Sequence, residues 1–219
     1  MATKSNTQNG NEKFPTYEVT HNNTPYNVQF KYLPDITMQL DGLQGKDLTS
    51  KDIFQITACK IDRYPKIQRD KLDSLNKLKS LAQLDKGITK EVLINLLALH
   101  GIGLPVASAY LRFINPKVYQ IIDVRAYRAA FDYIPQEKSY VFTKCETQIE
   151  VYFDYLAQLR SIDANSEKGY HGYRVAFENL DRFLYDVDKA SGYTLKESPN
   201  PIPTEKDIIE WIEKVIHPK

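Results

Sequence analysis

From residue 49 onward the apolar side chains recur at helical rather than alternating spacing. That periodicity limits the fold more than any other feature of the chain. Leu72, Leu75, Leu78 and Leu81 step along one face of a segment from about 68 to 84. Val92, Leu93, Leu96, Leu97 and Leu99 do the same behind Thr89, which the pattern makes an N-cap. Thr49 or Ser50 is placed to cap a helix containing DIFQITACKI, with Asp52 in its first turn. Further helices are expected over VASAYLRFI behind Pro105, VRAYRAAFDYI behind Asp123, residues about 144–161, residues 173–189, and EKDIIEWIEKVI behind Thr204. The fold class is therefore mainly α, with one helical domain over 49–195. Ahead of it, YEVT and YNVQFKYL read as extended, with the turn HNNTP between them, and Pro34, Gly42 and Gly45 mark a linker. Residues 1–48 are thus expected to be a disordered tail (1–13), a small N-terminal extended arm and a linker. Residues 196–219 are expected to be a linker, SPNPIP, and a C-terminal helix.

At 219 residues, 42% hydrophobic and 26% charged, the chain can bury one real core. No window approaches the roughly 18–20 apolar residues needed to cross a bilayer, so no membrane is expected. The polar start, MATKSNTQNGNEKF, lacks an apolar signal core. Cys59 and Cys145 lie far apart and cannot supply a four-cysteine iron–sulfur cluster or zinc site. His21, His100 and His217 are scattered, so no metal site is expected. Reduced thiols in a cytoplasmic protein are the plain expectation. The net charge of +1 does not exclude nucleic acid, because binding needs a basic face rather than a basic total. Residues 51–80 carry eight Lys or Arg against four Asp, a local excess of +4, though such a run is also an ordinary solvated helix face. Within it Lys60 and Arg63, then Lys66 and Arg69, stand at three-residue steps and could grip phosphates or simply face water.

The stretch LHGIGLPVASAYLRFINPKVYQIIDVRAYRAA, residues 99–130, carries the chemistry. Its first half reads helix, G-I-G turn, helix. Two glycines permit backbone angles forbidden to other residues and remove side chains that would block a close approach. The N–H groups of such a turn and the positive end of the next helix can then hold a phosphate oxygen without reading sequence. The bland alternative is a tight turn inside a helical core.

These residues resemble the helix-hairpin-helix DNA glycosylase superfamily, the group of endonuclease three, alkyl-adenine and oxo-guanine glycosylases. That family's hairpin reads approximately L-P-G-[VI]-G-x-[KW]-[TV]-A, and here the residues are Leu99, His100, Gly101, Ile102, Gly103, Leu104, Pro105, Val106 and Ala107. The family's essential aspartate stands in V-D-x-H-x-x-R, matched by Ile122, Asp123, Val124, Arg125, Ala126, Tyr127 and Arg128, with Asp123 twenty positions after Gly103. The likeness is sharp over about thirty residues, and over 50–190 it extends only as helix count and order.

The resemblance implies double-stranded DNA as partner, a phosphate grip made by Gly101, Ile102, Gly103, Val106, Ala107, Arg125 and Arg128, and Asp123 as the catalytic acid group. Breaking an N-glycosidic bond leaves positive charge on the sugar, which a nearby carboxylate stabilises while it orients or deprotonates the attacking water. Relatives that also cut the backbone carry a hairpin lysine that forms a Schiff base. Pro105 stands there instead, so the resemblance implies a monofunctional glycosylase that uses water, in base excision repair or defence against modified DNA, or an enzyme that has lost activity. No cofactor is implied beyond a monovalent cation on the hairpin carbonyls. Tyr64, Tyr110, Tyr127, Tyr170, Tyr173 and His171 could line a base pocket, although most aromatics in a helical domain are core. Two other readings remain open: a non-catalytic DNA-binding module using the same hairpin, and a helical protein-interaction domain. In both, Asp123 only caps a helix.

Overall fold

A computed structural model describes residues 14–31, 34–58, 67–135, 144–163, 165–195 and 199–218. They form a mostly helical protein with one small sheet. In chain order the elements are β1 (Thr16–His21), β2 (Thr24–Gln29), α1 (Pro34–Asp41), α2 (Ser50–Ala58), α3 (Arg69–Asn76), α4 (Lys86–Leu97), α5 (Leu104–Ile114), α6 (Val124–Ala130), α7 (Cys145–Ile162), β3 (Tyr173–Val175), α8 (Leu180–Ser191) and α9 (Glu205–Ile216). Single 3₁₀ turns cover Lys77–Ser80 and Phe177–Asn179. No helix among the described residues is long and apolar enough to cross a membrane.

The core is organised around α5. In LPVASAYLRFI every residue except Pro105 is buried, so this helix is apolar on all sides and has to be wrapped. α2, α4 and the Lys77–Ser80 turn pack around it. Asn115 ends it, and its amide donates to the carbonyls of Leu78 and Leu81 at 2.9 Å each, fastening that 3₁₀ turn to the C-terminal end of α5. α8 forms a second centre, with α6 on one side and α9 on the other.

The N-terminal arm is a hairpin, as its sequence suggests. Asn22 and Asn23 take φ of 48° and 61°, the left-handed region that a two-residue hairpin turn demands and that asparagine tolerates. The alternating side chains Tyr17 and Val19, with Val28 opposite Tyr17, are buried. β3 adds to the outer edge of β1, pairing Val19 with Val175, in the sheet order β2-β1-β3. Tyr17 meets the Phe183 ring at 6.5 Å and donates to Asp186 at 3.0 Å. The arm therefore shares one core with the helices, and that core runs through the boundary expected at residue 48.

Several local expectations shift. The proposed linker 34–48 contains α1, because Ile36, Thr37 and Leu40 supply a packing face despite Pro34 at the helix start. The cap of α4 is Asp85, whose carboxylate accepts from the Ile88 N–H at 3.0 Å. Thr89 lies inside the helix and pairs its hydroxyl with that of Tyr119 at 2.8 Å. The helix expected over 173–189 begins only at Leu180, since Tyr173–Val175 is drawn into the sheet. The helix expected over 124–134 ends at Ala130, because Asp132 and Tyr133 turn left-handed at φ of 50° and 63°.

Candidate functional site

The glycine turn lies between α4 and α5. Leu99 and Ile102 close it with N–H bonds to Leu96 and Leu99, and the buried Ile102 side chain pins it to the core. Gly101 has φ of 84°, which favours glycine. Gly103 is different: its φ of −95° is open to any residue, and a Cβ there would meet only Pro105 Cδ at 3.8 Å, an ordinary contact. The fold itself does not need glycine at 103. Its bareness leaves an exposed backbone corner at the N-cap of α5.

The N–H groups available at that corner differ from those expected. Val106 and Ala107 both donate to the Gly103 carbonyl at 3.0 Å, and both side chains are buried, so their amides are spent on the first turn of α5. The N–H groups of Gly103 and Leu104 have no hydrogen-bond partner among the described residues, as the first amides of a helix do not. Leu104 is 1% exposed, so any anion grip here rests on the exposed Gly103 amide, not on Val106 and Ala107.

After Asn115 the chain doubles back along α5 and is held from three sides. Tyr152 and Tyr155 of α7 donate to the carbonyls of Gln120 and Ile121 at 2.9 Å. The Asp181 carboxylate of α8 accepts from the Ile121 N–H at 3.2 Å. On α5 itself, the Ser108 hydroxyl accepts from the Ile122 N–H at 3.2 Å and donates to the Pro105 carbonyl at 3.0 Å. Ser108 is five residues beyond Gly103, or about 7.5 Å along the helix axis, near the middle of α5. The chain thus docks against the first half of α5 immediately before Asp123.

Asp123 is the N-cap of α6. It is half-buried, its backbone is extended, and its Oδ1 accepts from the Ala126 N–H at 2.9 Å. Tyr127 follows one turn later on the same face of α6, half-buried, with its ring 4.9 Å from Phe131 and 6.1 Å from Tyr155. Burial, and after it the charge of Asp154, raises the Tyr127 phenol above its ordinary pKa.

Arg125 and Arg128 do not face outward as phosphate contacts would. Both turn beneath α6 to Asp188 of α8, a carboxylate with 0% exposure. Arg125 Nη1 reaches Asp188 Oδ1 at 2.7 Å, and Arg128 spans both oxygens with bonds of 2.7 and 2.8 Å. The same guanidinium groups donate to the carbonyls of Tyr193 and Thr194 at 3.1 Å, just past the end of α8. Their side chains are 17% and 9% exposed. Taking an arginine from Asp188 would leave a fully buried charge short of partners, which explains the inward turn.

Of the other residues singled out, Lys60, Arg63, Tyr64 and Lys66 lie outside the described residues. Tyr110, Tyr170 and Tyr173 are core: Tyr110 pairs with Thr57, Tyr170 donates to the Ala129 carbonyl at 2.9 Å, and Tyr173 stacks on His21 at 4.2 Å. His171 is clamped between Asp132 at 2.9 Å and Glu205 at 3.6 Å. Although burial opposes it, this pair of carboxylates raises the imidazole pKa. Arg69 and Lys77 line a cleft of about 860 Å³ formed with residues 47–50, by the C-terminal end of α5 and away from the glycine turn. No group of three or more His, Cys, Asp or Glu suited to a metal occurs among the described residues.

Ser108, Asp181 and Asp188 were not singled out by sequence. The signal available was polarity out of place, a hydroxyl within an apolar helix and acids on the inner face of α8. Compared with protein-family models, curated proteins and solved structures, the chain finds no match.

Proposed function

We propose that this protein is a divergent helix-hairpin-helix DNA glycosylase, which binds double-stranded DNA and removes a damaged or modified base by water-mediated cleavage. The observation that carries the reading is the docking of the returning chain on α5, where Ser108, five residues beyond Gly103, bonds the residue before Asp123. A half-buried acid therefore follows directly on a residue docked against the helix whose N-cap, Gly103, is exposed with its amide unpaired among the described residues. A strand phosphate on the Gly103 amide would bring the sugar of an extruded nucleotide toward Asp123. Water attacks C1′, the N-glycosidic bond breaks with its electron pair leaving on the base, and the water proton passes to the carboxylate. With Pro105 in the lysine position no Schiff base forms, so borohydride should trap no covalent DNA adduct. The reaction requires no cofactor, and the turn's carbonyls could hold a monovalent cation.

The test is release of bases from a panel of lesion-bearing duplexes, read by alkali cleavage of the abasic product. Asn is as good an N-cap as Asp, so Asp123→Asn should leave stability within about 0.5 kcal/mol while base release falls roughly 10²–10⁴-fold. Salt-dependent duplex binding without release from any lesion would instead mark a non-catalytic DNA-binding module. No duplex binding at modest salt would mark an interaction domain.

A further inference from the structure

Ser108 is fully buried on an otherwise apolar stretch of α5. Its hydroxyl makes two bonds, and both go to backbone. It donates to the carbonyl of Pro105, in the first turn after the glycine corner, and accepts from the N–H of Ile122, the residue before Asp123. A hydroxyl can donate and accept at once, which no apolar residue of this size can do. The bond to the carbonyl three residues back fixes its rotamer, and the fixed oxygen then sets where Ile122 docks. The tyrosines of α7 and the Asp181 carboxylate hold the returning strand against α7 and α8. The Ser108 bond holds it against the helix that carries the corner.

We propose that Ser108 is a positioning residue that sets the spacing between the corner at Gly103 and the carboxylate of Asp123. The proposal rests on the glycosylase reading above. A reacting group displaced by about 1 Å can lose on the order of 10²-fold in rate, so a single buried hydroxyl at this junction has leverage on chemistry it never touches.

The base being unidentified, the experiment uses probes that carry none. One duplex holds a neutral tetrahydrofuran abasic nucleotide. The other holds a pyrrolidine nucleotide of the same shape, whose ring nitrogen carries the positive charge of the transition state. The wild-type chain should bind the pyrrolidine duplex about tenfold or more tighter, and Asp123→Asn should abolish that preference. Ser108→Ala should keep the tetrahydrofuran affinity within about twofold and bring the preference below about threefold. Ser108→Cys, a weaker acceptor of similar size, should fall between, and it carries the comparison if circular dichroism finds the alanine variant unfolded. A residue that merely stabilised the core would lower the melting temperature and leave the ratio of the two affinities alone. A wild-type preference that survives in the folded Ser108 variants overturns the role given to Ser108 and leaves the glycosylase reading standing. A wild-type chain with no preference overturns the glycosylase reading, and the role of Ser108 with it.

Discussion

Asp123 caps α6 from a half-buried position, with Oδ1 on the Ala126 N–H, whereas Asp188, reaching the same helix from α8, has no exposed surface and takes three bonds from Arg125 and Arg128. Both carboxylates serve the same seven-residue helix, one at its start and one at the side chains of its second and fifth residues. One is fully buried and matched by opposite charge on its neighbours, and the other is half-buried and accepts from a backbone amide. Full burial of an ion is tolerable only where partners compensate its lost hydration, so Asp188 reads as architecture. A carboxylate left near solvent at a helix start can meet a charge that arrives from outside. In this chain, then, the arginines of the 123–128 stretch support the acid's helix instead of extending its reach.

The hardest test of that contrast is removal of the buried partner. Asp188→Asn strands two inward-facing guanidinium groups and should cost about 3–5 kcal/mol, measured by urea unfolding. Arg128→Gln separates the two roles of the arginine more finely. It should destabilise the fold yet leave the slope of log affinity against log salt unchanged, where loss of a true phosphate contact would shift that slope by about 0.9.

A third acid, Asp186, lies between these extremes. Burial pushes its pKa up to about 6 from an ordinary 3.8, opposed by the hydrogen bond from Tyr17 and by nearby cations. Between those two values the folded chain binds a proton that the unfolded chain has released. Stability therefore falls as pH rises through that window and remains lower above it. Asp186→Asn keeps an acceptor for Tyr17, should flatten this pH dependence, and should raise stability at pH 7 by about 1–2 kcal/mol. The smallest structural effect is expected at the corner. Gly103→Ala should change stability by less than about 0.5 kcal/mol, since its Cβ meets nothing tight, while duplex affinity drops several-fold because a strand can no longer approach the amides. Unchanged affinity would mean that no strand sits there.

Much of the frame is legible from residue order. The N-terminal hairpin follows from alternation broken at HNNTP, and Asp123 and Thr204 stand as N-caps, the latter in a reciprocal box with Asp207. What misled was long-range pairing. RVA looks like the start of a helix until β1 offers it an edge, and Thr89 looks like a cap until Tyr119 takes its hydroxyl. Val106 and Ala107 are a local case instead, because their amides close the first turn of α5 onto Gly103 three and four residues back.

The sequence by itself determined the mostly helical class, the glycine turn ahead of α5 and the acid at the start of α6, because each depends on local propensity and on residues a few positions apart. Tertiary structure decided which way Arg125 and Arg128 face, that the arm belongs to the core, and that the residue before Asp123 docks on α5 through Ser108. Those outcomes turn on partners sixty or more positions away for the arginines and the arm, and on a fourteen-residue reversal for the acid. Which of them wins is settled by the cost of burying a charge or an amide without a partner, a quantity that exists only once the chain has folded.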